Sequence, residues 1–525
     1  MAEQPAGSRA AGSMPWLLRA IAMLAGAALT AAFAPHDVWC LALLCPAMLV
    51  GLWTRAASAR EGAWLGFAFG LGLYAAGTWW LFISIHGFGQ APVWVALPVM
   101  AALVMIMAAW QALLGYVAVR WLAPRSAPGC LLLVPAAWVI VEWWRGWFLS
   151  GFPWLSLGYS QTDTWLAGLA PVGGVHLVSL ALLVCAGGLV HLWRARGVAR
   201  WLAPVALILP WTTGLSLRDI EWTKVSGPAR TVAILQGAIP QDMKWLLSNQ
   251  QNILDTYERL HREALGANLI IWPESALPDL ANLYPNYIAT VWSAARRSNS
   301  AMLMGVIREA QSDAGADAEP FYFNSLLGMG SGEPAFYDKR HLVPFGEYFP
   351  VPSWLRNWMR LMNLPYSDFT PGDARQPLFD LAGMRLAASI CYEDAYPAMM
   401  NPETRLADAL VTVTNDGWFS HSGARYQHLQ IARMRALESR RYLLRAANDG
   451  VSAVINPFGK VTGRAQEFTE AVLRGSLTPR QGATPYLLLG NWLVIGLAGV
   501  ILAGAVFGGL RKARGGTISR INRLS

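Results

Sequence analysis

Three stretches of this chain carry groups that could act together on an acyl carbon. The first, LAASICYED at 386–394, is an apolar run ending in Cys391, followed at once by Tyr392, Glu393 and Asp394. Such a run predicts a buried strand. A thiol at its end is placed as a nucleophile, and the next backbone N–H can face a developing oxyanion. The second, IIWPES, puts Glu274 at the exit of another apolar strand, with Pro273 stiffening the turn. The third, FYDKRHLVPFGEYFP, carries Lys339 and Glu347 among prolines and aromatics. A carboxylate to take the thiol proton, an amine to stabilise negative charge and a thiol to attack suffice for acyl transfer through a thioester. Each group taken alone also has a structural reading. Cys391 would be a small buried hydrophobe, Glu274 a strand-end cap, Lys339 a solvated charge and Glu347 a partner of Arg340.

The elements that must position these groups divide the chain. Its 525 residues exceed one ordinary domain. With 54% hydrophobic residues, 14% charged and 26 Trp, the composition is that of a membrane protein. The net charge of +9 is spread in short basic clusters beside apolar runs, which fits membrane orientation better than a polyanionic partner such as nucleic acid. Of the five cysteines, Cys40, Cys45, Cys130 and Cys185 lie in apolar runs and Cys391 alone in the polar part, so it has no evident disulfide partner. No metal-type Cys/His spacing occurs, and no cofactor is expected.

Residues 1–15 are polar and small; apolar runs then follow at 16–34, 38–54, 62–85, 92–120, 128–148, 175–193 and 200–217. The run at 16–34 could pass for a signal peptide, but further runs follow immediately, so it is read as a retained span. Arg55 and Arg60, Arg120 and Arg125, and Arg194, Arg196 and Arg200 fall in alternate loops. The positive-inside rule then puts the N-terminus in the cytoplasm and the segment after span seven outside. An eighth span at 485–510 leads into a basic tail at 511–525, also inside. The expected organisation is a seven-helix membrane domain at 1–217, a soluble domain at 218–484, and then the last span and tail.

The soluble segment alternates strand and helix patterns. Candidate strands lie at 230–236, 268–272, 301–307, 322–328, 409–414 and 452–456, and candidate helices at 246–265, 286–298 and 426–447. NPFGK at 456–460 has the composition of a hairpin turn.

WPES, YDKRHLVPFGE and CYE resemble the motifs around the Glu–Lys–Cys triad of the nitrilase superfamily of carbon–nitrogen hydrolases, over essentially the whole soluble segment. The resemblance implies an αββα sandwich. With the flanking spans, and with GFPWLSLGYSQ at 151–161 and LQGAIPQDMKW at 235–245, the chain is similar to the apolipoprotein N-acyltransferase family. That resemblance implies Glu274 as base, Lys339 as oxyanion stabiliser and Cys391 as nucleophile. It gives Trp245, Glu347, Tyr392 and Glu393 supporting places in or around the pocket, and makes Trp154 an outer-face membrane residue. It further implies a bacterial inner-membrane enzyme with its catalytic domain on the periplasmic face. A phospholipid, usually phosphatidylethanolamine, would donate its sn-1 acyl chain to the cysteine. The amine of a diacylglyceryl-modified apolipoprotein would accept it.

FPVPSWLRNWMRLMNLPYSDF at 349–369 reads as an interfacial arm, or alternatively as a core helix. Two other functions remain open at this level. A membrane-tethered amidase would use the same triad on a soluble amide, although eight spans argue for lipid substrates. A transporter with a regulatory outer domain would need paired ionisable residues inside its spans. Glu142 and Arg145 come nearest, at a position that reads as interfacial.

Overall fold

The computed structural model describes residues 15–311, 320–348 and 369–505. Among these, two six-stranded sheets organise the chain from 230 to 477. One runs in the order Ala471–Leu477, Arg230–Gln236, Leu269–Ile271, Ala301–Ala310, Phe321–Met329, Ala335–Asp338. The other runs Val461–Arg464, Ala453–Ile455, Leu443–Ala447, Ala409–Thr414, Met384–Ile390, Phe379–Leu381. In each, three neighbouring strands are parallel and antiparallel strands flank them. Parallel strands are covered on both faces, which is why Leu269–Ile271 and Ala409–Thr414 are buried at every position.

The period of two sorts their side chains into layers. Val232, Ile234 and Ile271 meet Leu386, Ile390 and Val411 between the sheets. Ala233 and Leu235 face Ile253 and Tyr257 of helix Gln250–Ala264 and Val291 of helix Pro285–Arg297. On the far side, Ala387 and Leu410 face Leu429 and Ala432 of helix Ala424–Ser439. This is an αββα sandwich. Each fully buried Leu or Ile in it contributes about 1.5–3 kcal/mol relative to exposure.

One expected element is corrected. The helix expected over 426–447 ends at Ser439, and Leu443–Ala447 is a strand paired in parallel with Ala409–Thr414. Arg440 breaks the helix by taking a left-handed conformation, φ 52°. The other expected strands and helices appear with ends shifted by up to four residues. NPFGK closes a hairpin through an Asn456 N–H to Lys460 O bond of 2.9 Å.

Toward the N-terminus the chain is helical. Among the described residues, four helical segments are long and apolar enough to cross a membrane: Pro15–Ala32, Val93–Arg120, Trp165–Arg194 and Gly197–Arg218. Ala59–Gly77 with Trp80–Phe88, bent by 50°, makes a fifth if the pair is one span, and Leu41–Trp53 and Trp492–Ala505 are shorter apolar helices. Close packing of Ala59–Gly77 against Val93–Arg120 rests on glycine. A Cβ on Gly66 would lie 2.1 Å from the Gln111 carbonyl oxygen. The arm expected at 349–369 lies outside the described residues except for Phe369, and the basic tail lies outside them entirely.

Glu142 and Arg145 are not left to solvent or lipid. They are buried at 2% and 1% exposure and pin the 151–157 segment from beneath. Glu142 accepts from the Leu157 N–H (3.0 Å), while Arg145 donates to the carbonyls of Phe152 and Trp154 (2.7 Å each) and to Ser156 Oγ (2.9 Å). Their polar groups are engaged in shaping a loop, which gives the pair nearest to a transporter's ionisable pair a structural role.

Candidate active site

Glu274, Lys339 and Cys391 each sit just past a strand, and the two facing sheets bring them together. Glu274 follows Leu269–Ile271 on a turn laid across strand Ala301–Ala310, where the Ala276 N–H donates to the Gly305 carbonyl (2.8 Å). Gly305 permits that approach, since a Cβ there would come within 2.2 Å of the Pro273 oxygen. Lys339 follows Ala335–Asp338, its N–H bonded to the Asn324 carbonyl (2.8 Å). Cys391 follows Met384–Ile390 with φ 53°, a left-handed conformation that an L-residue holds only under surrounding constraint.

Lys339 is 1% exposed, so the solvated reading fails. Its Nζ lies 2.8 Å from Glu347 Oε1 and 3.5 Å from Glu274 Oε1. Asn324 bridges the two carboxylates, its Nδ2 donating to Glu274 Oε1 (2.7 Å) and Glu347 Oε1 (2.9 Å). The second oxygens are fixed by backbone, Glu274 Oε2 by the Asn415 N–H (2.7 Å) and Glu347 Oε2 by the Val343 N–H (2.9 Å). Glu347 thus pairs with Lys339 rather than with Arg340, whose partner is Glu403.

The electrostatics separate the roles. Burial opposes the Lys339 charge, but Glu347 and Glu274 outweigh it and hold the ammonium protonated well above its usual range. Burial, together with Glu274, pushes the Cys391 thiol well up, against the pull of Lys339. Cys391 therefore rests as a thiol, a form that can attack a carbon only with a base to take its proton.

The supporting residues divide. Glu393 is fully buried and ties the nucleophile turn to the lysine segment. It accepts from the N–H groups of Ile390 (2.7 Å), Arg340 (2.6 Å) and His341 (3.2 Å) and from the Tyr337 hydroxyl (2.9 Å). The Tyr392 hydroxyl donates to the Gly151 carbonyl (3.2 Å), as does that of Tyr396 (2.9 Å). Trp154 is 1% exposed, stacks on Tyr392 and donates to Gln427 Oε1 (2.7 Å). It lies in the seam between the helical part and the sandwich. Trp245 meets the site through its neighbour: Lys244 Nζ lies 5.5 Å from its ring centre and 3.3 Å from the Glu274 carbonyl. Burial lowers Lys244 to about 8, against the pull of Glu274 and Asp449.

Asn324, Lys244 and the buried group around His428 were not singled out from sequence. A buried Asn inside an otherwise apolar strand was the available signal for Asn324. Nothing local marks Lys244 or His428.

A carboxylate, an ammonium and a thiol at the strand ends of an αββα sandwich define a carbon–nitrogen hydrolase-type enzyme. The family model described as Carbon-nitrogen hydrolase matches residues 231–486, and that of the Apolipoprotein N-acyltransferase N-terminal domain matches 25–188. The chain is 43% identical over 496 residues to the apolipoprotein N-acyltransferase of Azotobacter vinelandii, covering 94% of this chain and 95% of that one. It is 40% identical over 498 residues to that of Pseudomonas putida (94% and 97%). To that of Vibrio parahaemolyticus it is 37% identical over 481 residues (90% and 93%). Among solved structures, the C. elegans NitFhit protein is similar at 20% identity and a TM-score of 0.37, over 49% of this chain and 62% of that one. The chain belongs to the apolipoprotein N-acyltransferase family.

Proposed function

We propose that this enzyme moves an acyl chain from the sn-1 position of a membrane phospholipid, such as phosphatidylethanolamine, to the amine of a diacylglyceryl-cysteine at an apolipoprotein N-terminus. The observation that carries the reading is the trio of buried Glu274, buried Lys339 and half-buried Cys391, with Lys339 held between two carboxylates. Glu274 takes the thiol proton as Cys391 sulfur attacks the ester carbonyl, and Lys339 stabilises the tetrahedral oxyanion. Collapse breaks the ester bond. The lysophospholipid oxygen leaves with the proton from Glu274, and the acyl chain remains as a thioester. The incoming amine then attacks the thioester and gives its proton to Glu274. The cysteine sulfur leaves and recovers that proton, and the amide is released.

In this reading eight helices cross the membrane, the shorter apolar helices Leu41–Trp53 and Trp492–Ala505 and the 129–145 segment included. Residues 218–484 form the periplasmic domain between spans seven and eight, and both termini lie in the cytoplasm. Membrane-borne donor and acceptor fit a site sewn to the helical part through Gly151, Trp154 and Glu438, whose Oε1 accepts from the Val175 N–H (2.8 Å).

The test follows the acyl group in two steps. Full-length protein is loaded from labelled phosphatidylethanolamine, freed of donor, and given a diacylglyceryl-cysteine peptide. The label should move to the peptide amine. Release of labelled fatty acid at the same rate without peptide would instead make the enzyme a hydrolase, the amidase reading.

A further inference from the structure

Behind the nucleophile lies a closed group of four buried charged side chains. His428, on helix Ala424–Ser439, is 0% exposed. Its Nε2 stands 3.1 Å from Asp394 Oδ1 and 3.2 Å from the Cys391 carbonyl oxygen. Its Nδ1 stands 2.9 Å from Asp416 Oδ1. Arg445 Nη2, on strand Leu443–Ala447, lies 2.9 Å from Asp416 Oδ2 and 3.0 Å from His428 Nδ1, and Nη1 lies 3.5 Å from Asp394 Oδ2.

Each ring nitrogen faces a carboxylate oxygen, which only accepts, so a proton on each satisfies both contacts, while a ring bare at Nδ1 would face Asp416 lone pair to lone pair and keep only Arg445 there. The two donors Arg445 and His428 approach each other because they share Asp416. With His428 charged, the group sums to zero, two positive against two negative. With it neutral, a net negative charge would be stranded in the interior. Burial and the adjacent Arg445 oppose that charge, but Asp394 and Asp416 outweigh them and lift His428 to about 9.

The single Nε2 proton is shared between Asp394 Oδ1 and the Cys391 carbonyl, and of these two acceptors the carbonyl belongs to the reaction. That carbonyl and the Tyr392 N–H are the two ends of one planar trans peptide and point in opposite directions. A charged donor holding the oxygen fixes the plane, turns the N–H to the other side and polarises it. It also constrains the left-handed φ of Cys391.

We propose that His428, held as an imidazolium by Asp394 and Asp416, is a positioning residue for acyl transfer: it orients the Cys391–Tyr392 peptide so that the Tyr392 N–H joins Lys339 at the acyl oxygen. This rests on Cys391 being the nucleophile. The groups facing His428 are Cys391 and Asp394 from the nucleophile turn, Asp416 from the turn after strand Ala409–Thr414, and Arg445; Trp154 and Phe419 cover the ring without charge.

The experiment is the rate of acyl loading on Cys391 by phosphatidylethanolamine in mixed micelles, read by intact mass on full-length protein from pH ~6 to ~10. Wild-type loading should fall as pH rises through about 9. His428→Gln, checked as folded by its thermal midpoint, should load on the order of 10²-fold more slowly and lose that alkaline fall. Asp394→Asn, which removes one carboxylate from the imidazolium, should move the fall to lower pH. Loading of His428→Gln at the wild-type rate overturns the proposal. So does an unchanged alkaline fall in that variant, which would assign it to Lys244. Should His428→Gln not fold, the other two profiles decide, and a wild type with no fall, or one that does not move in Asp394→Asn, is equally contrary. A wild type that never loads contradicts the nucleophile assignment itself and is told apart from these results by that absence.

Discussion

At the scale of single residues, the catalytic assignment turns on who holds the proton. A thiol pushed up by burial and Glu274 cannot wait as a thiolate, so Glu274→Gln should fail to load although the protein folds. Lys339→Ala should lower the loading rate by roughly 10²–10³, the usual cost of one oxyanion contact, measured by quenched intact mass. Lys339→Arg should not restore it, because a planar fork does not occupy the place of a point charge between Glu347 and Glu274. His428 adds a pH dependence to stability. Its folded-state pKa is raised, so its stabilisation is complete below the ordinary value of 6.5 and is lost as pH rises through about 9. The thermal midpoint in detergent should fall across that window in the wild type, and that part of the fall should be absent in His428→Gln.

At the scale of elements, the site is a product of strand ends and of one glycine. Gly305→Ala would drive a Cβ into the Pro273 carbonyl and the Glu274 Cα, so the base should shift while the sheet survives. The expected outcome is a folded protein whose loading drops on the order of 10²-fold. A normal rate would show that the turn can move at no cost. The strands before Cys391 and Glu274 were legible because buried parallel strands read as short apolar runs; Ala335–Asp338, the half-exposed antiparallel edge strand before Lys339, has no such run and was not among the expected strands. The strand Leu443–Ala447 was not legible either. RYLLRAAN continues the helix-forming composition of the preceding residues, and what ends the helix is the left-handed Arg440, a residue with no turn signature. The partners of Glu142 and Arg145, backbone groups of the 151–157 loop and Ser156 Oγ, were not legible because the loop's path back to the helix is not written in local sequence. His428 acts through contacts distant in sequence, so no local pattern announces it, and Asn324 left only the weak signal of a polar residue in an apolar strand.

At the scale of the whole molecule, the account joins a helical membrane part to the sandwich through the 151–157 loop and requires the sandwich to face the periplasm. Reporters fused after residue 220 should read as periplasmic and those after 515 as cytoplasmic; a cytoplasmic reading near residue 300 would break the topology. The central claim is that the intact protein becomes acylated on Cys391 by phospholipid alone. Its most direct test is the intact mass of the full-length protein after exposure to phosphatidylethanolamine vesicles with no amine acceptor present. The account predicts a mass gain of one acyl chain that hydroxylamine removes, that maps to Cys391 and that is absent in Cys391→Ala. Equal acylation of Cys391→Ala, or turnover of the wild type without any acyl-protein on the path, would contradict it.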